Sequence, residues 1–419
     1  MKSKLIVLIL VGLLATALIA GCGPSDDGAT DEVTTHTVVA ILPLTGVLST
    51  FGENSSTAAK LAADDVNAWL EAEGKDWTLR LEIDDTQTEG PVGLRKMQSW
   101  FGEGVKFFVG PQASGVAQEC LSFANSNQIL YISPSSTSPA LAIPDDYLFR
   151  FCTTDLVQGP AIGAIAAAAG VEHLIFSWQI DTWGDGLQAA AEASAVELGI
   201  SIYPEKLGFD PLKEDFTTDV ALLDGYVSDL VAQGVSLDKI GVNLITFEQA
   251  APYLAEVAKY PQLLELVWIG SDGTAVSEAI KQHPVASQVA ADVKFISSMN
   301  RPAEATAESN FDNVKNYIQE QLGRETDSYA YNTYDMVWAI ALTIDAVGYD
   351  AAAAKEALPG IVDEWSKVYG ASGHVVLNAD GDRAFADYDY WLLNDAFEWV
   401  TVGYFSGGTG TIVWTQEIY

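Results

Sequence analysis

The feature that most constrains this chain is an alternation of short apolar β runs with amphipathic helices, carried through twice at close spacing. Residues 37–42 form an apolar run closed by Pro43, and residues 55–70 place Ala58, Leu61, Ala62, Val66 and Trp69 on one helical face. A second run at 79–83 ends in Asp84-Asp85, a helix is expected over 91–101, and a third run at 105–109 ends in Gly110-Pro111. Helix 116–125 and strand 129–132, closed by Ser133-Pro134, complete the first series. Apolar recurrence every three to four residues marks the helices, and short continuous runs between turn residues mark strands buried on both faces. Strands joined through helices by short connections run parallel, with helices covering both faces of the sheet.

The pattern restarts after Arg150. Helices over 161–169, 187–198, 217–233 and 250–260 alternate with strands at 173–178, 200–207, 240–246 and 266–269, the last closed by Gly270-Ser271-Asp272-Gly273. Residues from 293 add a strand and helices over 303–322, 329–347 and 351–368. The end, 375–419, is rich in Tyr, Trp, Val and Gly and reads as β, with a turn at Asn378-Ala379-Asp380-Gly381-Asp382. The expected fold class is α/β: two doubly wound parallel-sheet lobes joined by a three-segment hinge. The expected boundaries are 36–152 plus 274–370 for lobe one and 153–273 plus 371–419 for lobe two.

The first residues read as an export signal. Lys2 and Lys4 precede an apolar run at 5–20, short for a membrane span and right for a signal core. The run ends in Ile19-Ala20-Gly21-Cys22, small residues before a cysteine, like the lipobox of exported lipoproteins. Residues 1–21 are then a signal peptide, Cys22 the lipidated residue, and 22–35 a solvated tether. This places the folded body on the outer face of the cytoplasmic membrane, extracellular or periplasmic and lipid-anchored.

Charge narrows the partners. The chain has 57 acidic and 21 basic residues, a net charge of −36, which repels a phosphate backbone and excludes nucleic-acid binding as its main role. The same charge keeps copies apart, so a monomer is expected. The chain has 3 Cys and 4 His, without zinc-ligand spacing. Cys120 and Cys152 read as either two buried thiols or a disulfide. Asp181, Asp185, Asp380 and Asp382 are loosely spaced like calcium ligands, but in so acidic a chain they read as solvated turns. No His-Glu-x-x-His, Gly-x-Ser-x-Gly or Walker pattern is present, so neither an enzyme nor a cofactor or metal is expected.

In open parallel sheets, ligands bind beyond the carboxyl ends of the strands. Those ends here are polar and glycine-containing: Leu42-Pro43-Leu44-Thr45-Gly46 with Phe51-Gly52, then 109–114, 131–139 and Asp181-Thr182-Trp183-Gly184-Asp185-Gly186. Further marks are Tyr147-Leu148-Phe149-Arg150, Asp155 with Gln158-Gly159, Tyr331, Tyr334-Asp335 and Gly381-Asp382-Arg383. This ordered series resembles the extracellular solute-binding proteins of ABC importers. It is most similar to the type I periplasmic-binding family for leucine, isoleucine and valine, which also includes amide and urea binders. The resemblance implies a clamp in which two lobes close on a small solute and the closed form docks on a permease and its ATPase subunits. Its alternatives are a ligand-sensing receptor domain or an amide- or urea-binding member.

The resemblance also implies site residues. Ser114, Ser135 and Thr137, at strand ends of lobe one, match positions that hold a solute carboxylate. Hydroxyls and free N–H groups at a helix start suit an anion without Arg or Lys. Phe51 and Trp183 match aromatic positions that close over the ligand. Glu248, after strand 240–246, falls near the acidic residue that receives an ammonium, and Asp272 is the alternative partner. A buried ammonium needs such a carboxylate, because an unpaired charge is costly to desolvate.

Overall fold

The computed structural model describes residues 33–302, 306–416 and 418. The expected signal peptide, Cys22 and most of the tether lie outside the described residues.

The first series folds as β1 (Thr34–Leu42), α1 (Ser49–Ala72), β2 (Trp77–Asp85), α2 (Gly90–Gly102), β3 (Phe107–Val109), α3 (Ser114–Asn127), β4 (Leu130–Ser133) and β5 (Leu148–Arg150). The strands form an all-parallel sheet in the order β2-β1-β3-β4-β5. The order steps both ways from β1, so the connections after β1 and β3 open a crevice at the carboxyl edge. Helix α1 begins six residues before the expected 55, which puts Phe51 on its first turn. Gly52 makes the early start possible, because a Cβ there would lie 2.0 Å from the Pro43 carbonyl oxygen.

The second series is α4 (Asp155–Ala168), β6 (His173–Gln179), α5 (Thr182–Glu197), β7 (Ser201–Ile202), β8 (Leu207–Phe209), α6 (Thr217–Ala232), β9 (Ile240–Ile245), α7 (Ala250–Val257) and β10 (Val267–Ile269). Its sheet runs β10-β9-β6-β7, with β8 also paired to β6, all parallel. The single strand expected over 200–207 is thus two short ones, divided at 203–206 by a segment that includes Pro204.

The remainder is α8 (Glu278–Gln282), α9 (Pro284–Asp292), β11 (Ser297–Asn300), α10 (Phe311–Leu322), α11 (Ser328–Val347), α12 (Ala351–Tyr369), β12 (Tyr388–Leu393), β13 (Trp399–Ser406) and β14 (Thr411–Trp414). Strands β11 to β14 make a third, antiparallel sheet. The expected start of the helix at 303 lies outside the described residues, and the helix itself begins at Phe311.

Packing corrects the expected lobe boundaries. Ala275, Ile280, Val289, Phe295 and Met299 join the same core as β6, β9 and β10, so 274–300 belongs with lobe two. The reason is that β10 continues through an Ile269–Ile296 bridge toward β11, and α9 covers α7. Gly270-Ser271-Asp272-Gly273 is a strand-end turn, and the crossing comes after Asn300. Helices α10 to α12 pack with β1 and β3 through Val314, Tyr334 and Leu358, and Val375 still belongs to that core. The last crossing therefore follows Arg383, beyond the expected 370.

Arg150 ties these crossings together. It is fully buried, donates from Nε and a guanidinium NH2 to both Asp382 oxygens at 2.5 and 2.6 Å, and donates to the carbonyls of Ser136 and Ser138 at 2.6 and 2.8 Å. Asp382 is thus a buried ion-pair member, which corrects the solvated-turn reading. Cys120 and Cys152 are both free and buried.

Candidate functional site

The carboxyl ends of the two parallel sheets face each other. Leu48 and Phe51 come from the start of α1, Gln112 and Ala113 from the end of β3, and Ser114 from the first turn of α3. Ser135 comes from the end of β4 and Tyr329 from the first turn of α11. From lobe two come Trp183, Phe247, Asp272 and Gly273. Together these residues line one cavity. The enclosed space is about 20 Å³, room for about one water. The walls must stand further apart around any amino-acid-sized solute than they do here.

Aromatic groups make the walls. Trp183 and Phe247 stack at 4.3 Å with planes 12° apart, and Phe51 meets Tyr329 edge-on at 6.2 Å. Trp183 is set in place by Asp181, whose carboxylate caps α5 by accepting from the backbone N–H of Trp183 and Gly184. Gly273 lets the strand end pass beneath this wall, because a Cβ there would lie 2.5 Å from the Thr246 carbonyl and 2.8 Å from both Trp183 and Phe247.

The polar groups divide by lobe. On the lobe-one side, α3 begins without a side-chain cap, and Ser114 lies on its first turn. Ser114 Oγ accepts from the Ser138 N–H, and Ser135 Oγ donates to the Gln112 carbonyl. Gln112 is buried and donates from Nε2 to Ser55, while its Oε1 has no partner among the described residues. On the lobe-two side, the two Asp272 oxygens accept from Gln158 Nε2 at 3.0 Å and from Tyr329 Oη at 2.6 Å. Burial pushes the Asp272 carboxyl above its ordinary range, and those two hydrogen bonds act against the rise. Burial, with the Asp272 charge beside it, pushes the Tyr329 phenol well up, so Tyr329 remains a donor.

Of the residues singled out from the sequence, the structure brings Phe51, Ser114, Ser135, Trp183 and Asp272 to one cavity. Thr137 is not there. Its carbonyl accepts from the Asp155 N–H at 2.8 Å, and the carbonyls on either side of it, of Ser136 and Ser138, accept from Arg150. Glu248 is not there either. It lies at the rim, where its carboxylate accepts from the Thr50 N–H and Ser49 Oγ of the opposite lobe. The expected ammonium partner of lobe two is thus turned away from the cavity, and Asp272 is the carboxylate that lines it. Sequence reading missed Leu48, Gln112, Phe247 and Tyr329 as lining residues. Phe247 was detectable as an aromatic just past a strand end, and Gln112 as part of the loop that carries Ser114. Tyr329 carried no local signal, because its role depends on α11 meeting lobe two.

The chain matches the model of the receptor family ligand binding region over residues 54–396. It is 30% identical to an uncharacterized protein of Methanocaldococcus jannaschii, over 96% of this chain and 98% of that one. It is 24% identical to a Leu/Ile/Val-binding protein homolog of Brucella abortus, over 73% and 77% of the two chains. Among solved structures, a leucine binding protein of Thermotoga maritima superposes with a TM-score of 0.73 at 17% identity, covering 88% of this chain and 99% of that one. A branched-chain amino acid transporter substrate binding protein of Streptococcus pneumoniae in complex with isoleucine gives 0.70 at 17% identity, covering 88% and 100%. A solute binding protein from R. palustris in complex with benzoate gives 0.71 at 15% identity, covering 92% and 99%. The chain belongs to the receptor family ligand-binding-region family, in its type I periplasmic-binding, leucine/isoleucine/valine-binding-protein-like branch.

Proposed function

We propose that the chain is a receptor, without catalytic activity, that captures one small solute between its lobes and delivers it to an ABC importer. The observation that carries this reading is the cavity at the facing strand ends, lined from both lobes. A ligand shifts a protein from open to closed only by binding the closed form better, and a site walled from both sides supplies that difference. Export and lipid attachment at Cys22 would hold the receptor at the outer face of the membrane, beside a permease.

The chemistry fits an amino acid with an apolar or aromatic side chain. Its carboxylate would meet the α3 N-terminus, Ser114 and Ser135, its side chain the Phe51, Trp183 and Phe247 walls, and its ammonium Asp272. The names of the related proteins, for leucine, isoleucine and valine, support this class. A second reading rests on Asp272 itself. Each of its oxygens already accepts a hydrogen bond and burial raises its pKa, which suits a carboxylate ligand that lacks an ammonium, or an amide. Calorimetry with L-leucine, L-isoleucine, L-phenylalanine and benzoate separates the two. Tighter binding of an amino acid supports the first reading and tighter binding of benzoate the second. Binding of none of the four removes apolar amino acids and aromatic carboxylates and leaves an amide as the ligand to test.

A further inference from the structure

We infer that Glu248 is a latch that caps helix α1 across the cleft, so that closing the lobes and setting the Leu48–Phe51 wall are one event. Helix α1 has no side-chain cap of its own: Leu48 stands at the N-cap position. The first N–H groups of a helix lack intrahelical partners and attract negative charge. Here the charge comes from the other lobe. Glu248 Oε1 accepts from the Thr50 N–H at 2.9 Å, and both carboxylate oxygens lie 3.2 Å from Ser49 Oγ. The Glu248 N–H also donates to the Val47 carbonyl at 3.2 Å, so backbone and side chain of one residue grip a single turn.

That turn is the cavity wall. Leu48 and Phe51 flank the two residues that Glu248 holds, and both line the cavity. On its own side the turn is held by Arg324, which donates to the Thr50 carbonyl at 3.1 Å, to Asn54 Oδ1 at 2.8 Å and to Glu53 at 2.8 Å. The Arg324 contacts lie within lobe one and do not depend on closure, whereas the Glu248 contacts cross between the lobes and require them to be shut. Glu248, Ser49, Thr50 and Arg324 line a second, open pocket between the lobes together with Glu53 and Glu278, whose like charges repel that of Glu248. Glu248 is therefore a positioning residue: it adds to affinity without touching the solute.

This inference rests on the clamp reading of the site, and its test separates the two. Dyes at Glu71→Cys and Glu197→Cys, both exposed and on opposite lobes, report lobe separation by single-molecule energy transfer in the full chain without added ligand. Glu248→Ala should reduce the short-distance population about tenfold relative to open molecules, the effect of losing a charge-assisted cap. Glu248→Gln, which keeps an acceptor for Thr50 but no charge, should fall between. With L-leucine as probe, Glu248→Ala should dissociate several-fold faster with little change in association, because the latch forms after encounter. A distance distribution unchanged by Glu248→Ala, or a wild type with no short-distance population, overturns the latch. Failure of L-leucine to bind the wild type would remove that ligand from the functional reading, while the distances still decide the latch.

Discussion

Replacing Arg150 with Met should cost about 3–5 kcal/mol, the range for removing one member of a buried ion pair. The geometry places it in that class: Arg150 is 0% exposed and Asp382 1% exposed, and the pair is bidentate at 2.5 and 2.6 Å. The substitution leaves the Asp382 carboxylate buried without its partner. It also removes the donor of the Ser136 and Ser138 carbonyls, each bond worth about 1 kcal/mol, which pushes the loss toward the upper end. Against a total of ~5–15 kcal/mol for a native protein, this is a large fraction. Replacing both partners, Arg150→Met with Asp382→Leu, should recover part of the loss, because no uncompensated charge remains. Urea denaturation followed by fluorescence reads both variants. A loss under about 1 kcal/mol for the single variant, or a double variant no more stable than the single, would refute the reasoning. Since the 136–138 backbone leads out of Ser135, the single variant should also bind solute more weakly than its stability loss alone explains.

Asp272→Ala should weaken binding of L-leucine by about 2–5 kcal/mol, because a buried ammonium would lose its carboxylate, while benzoate affinity should hold or improve; calorimetry on both ligands checks this. Gly273→Ala should abolish binding while the fold survives, because its Cβ pushes into Trp183 and Phe247; circular dichroism and calorimetry read the two parts. Burial pushes the Asp146 carboxyl up to about 7 from 3.8. A raised acid binds protons more tightly when folded, so it lowers stability as pH climbs through about 4 to about 7 and has no further slope above. Asp146→Asn should flatten that part of the curve in denaturation series across the window. Cys22→Ser should abolish incorporation of labelled lipid; unchanged labelling would mean that another residue is modified.

Much of the fold was readable because its strongest signals are local. The runs at 37–42 and 240–246 and the faces of α1 and α6 follow from apolar periodicity, which responds to burial and little else. The lobe boundaries were misread for the opposite reason. Gly270-Ser271-Asp272-Gly273 has the composition of a crossing, and only the packing of Phe295 and Met299 shows that the chain stays with lobe two. The site divided in the same way. Ser114, Ser135, Trp183 and Asp272 sit at strand ends, where topology alone predicts a ligand. Glu248 sits at such an end too, yet an uncapped helix in the opposite lobe claims it. Thr137 is held to Asp155 by a backbone hydrogen bond that no spacing rule encodes.

The most direct test of the central claim is native mass spectrometry of the protein as purified from cells, compared with its Trp183→Ala, Phe247→Ala double variant. The account predicts one small molecule at a single equivalent on the wild type, bearing a carboxylate or amide group, and its loss from the double variant. The same molecule retained equally by both proteins would place binding outside the cavity and contradict the account.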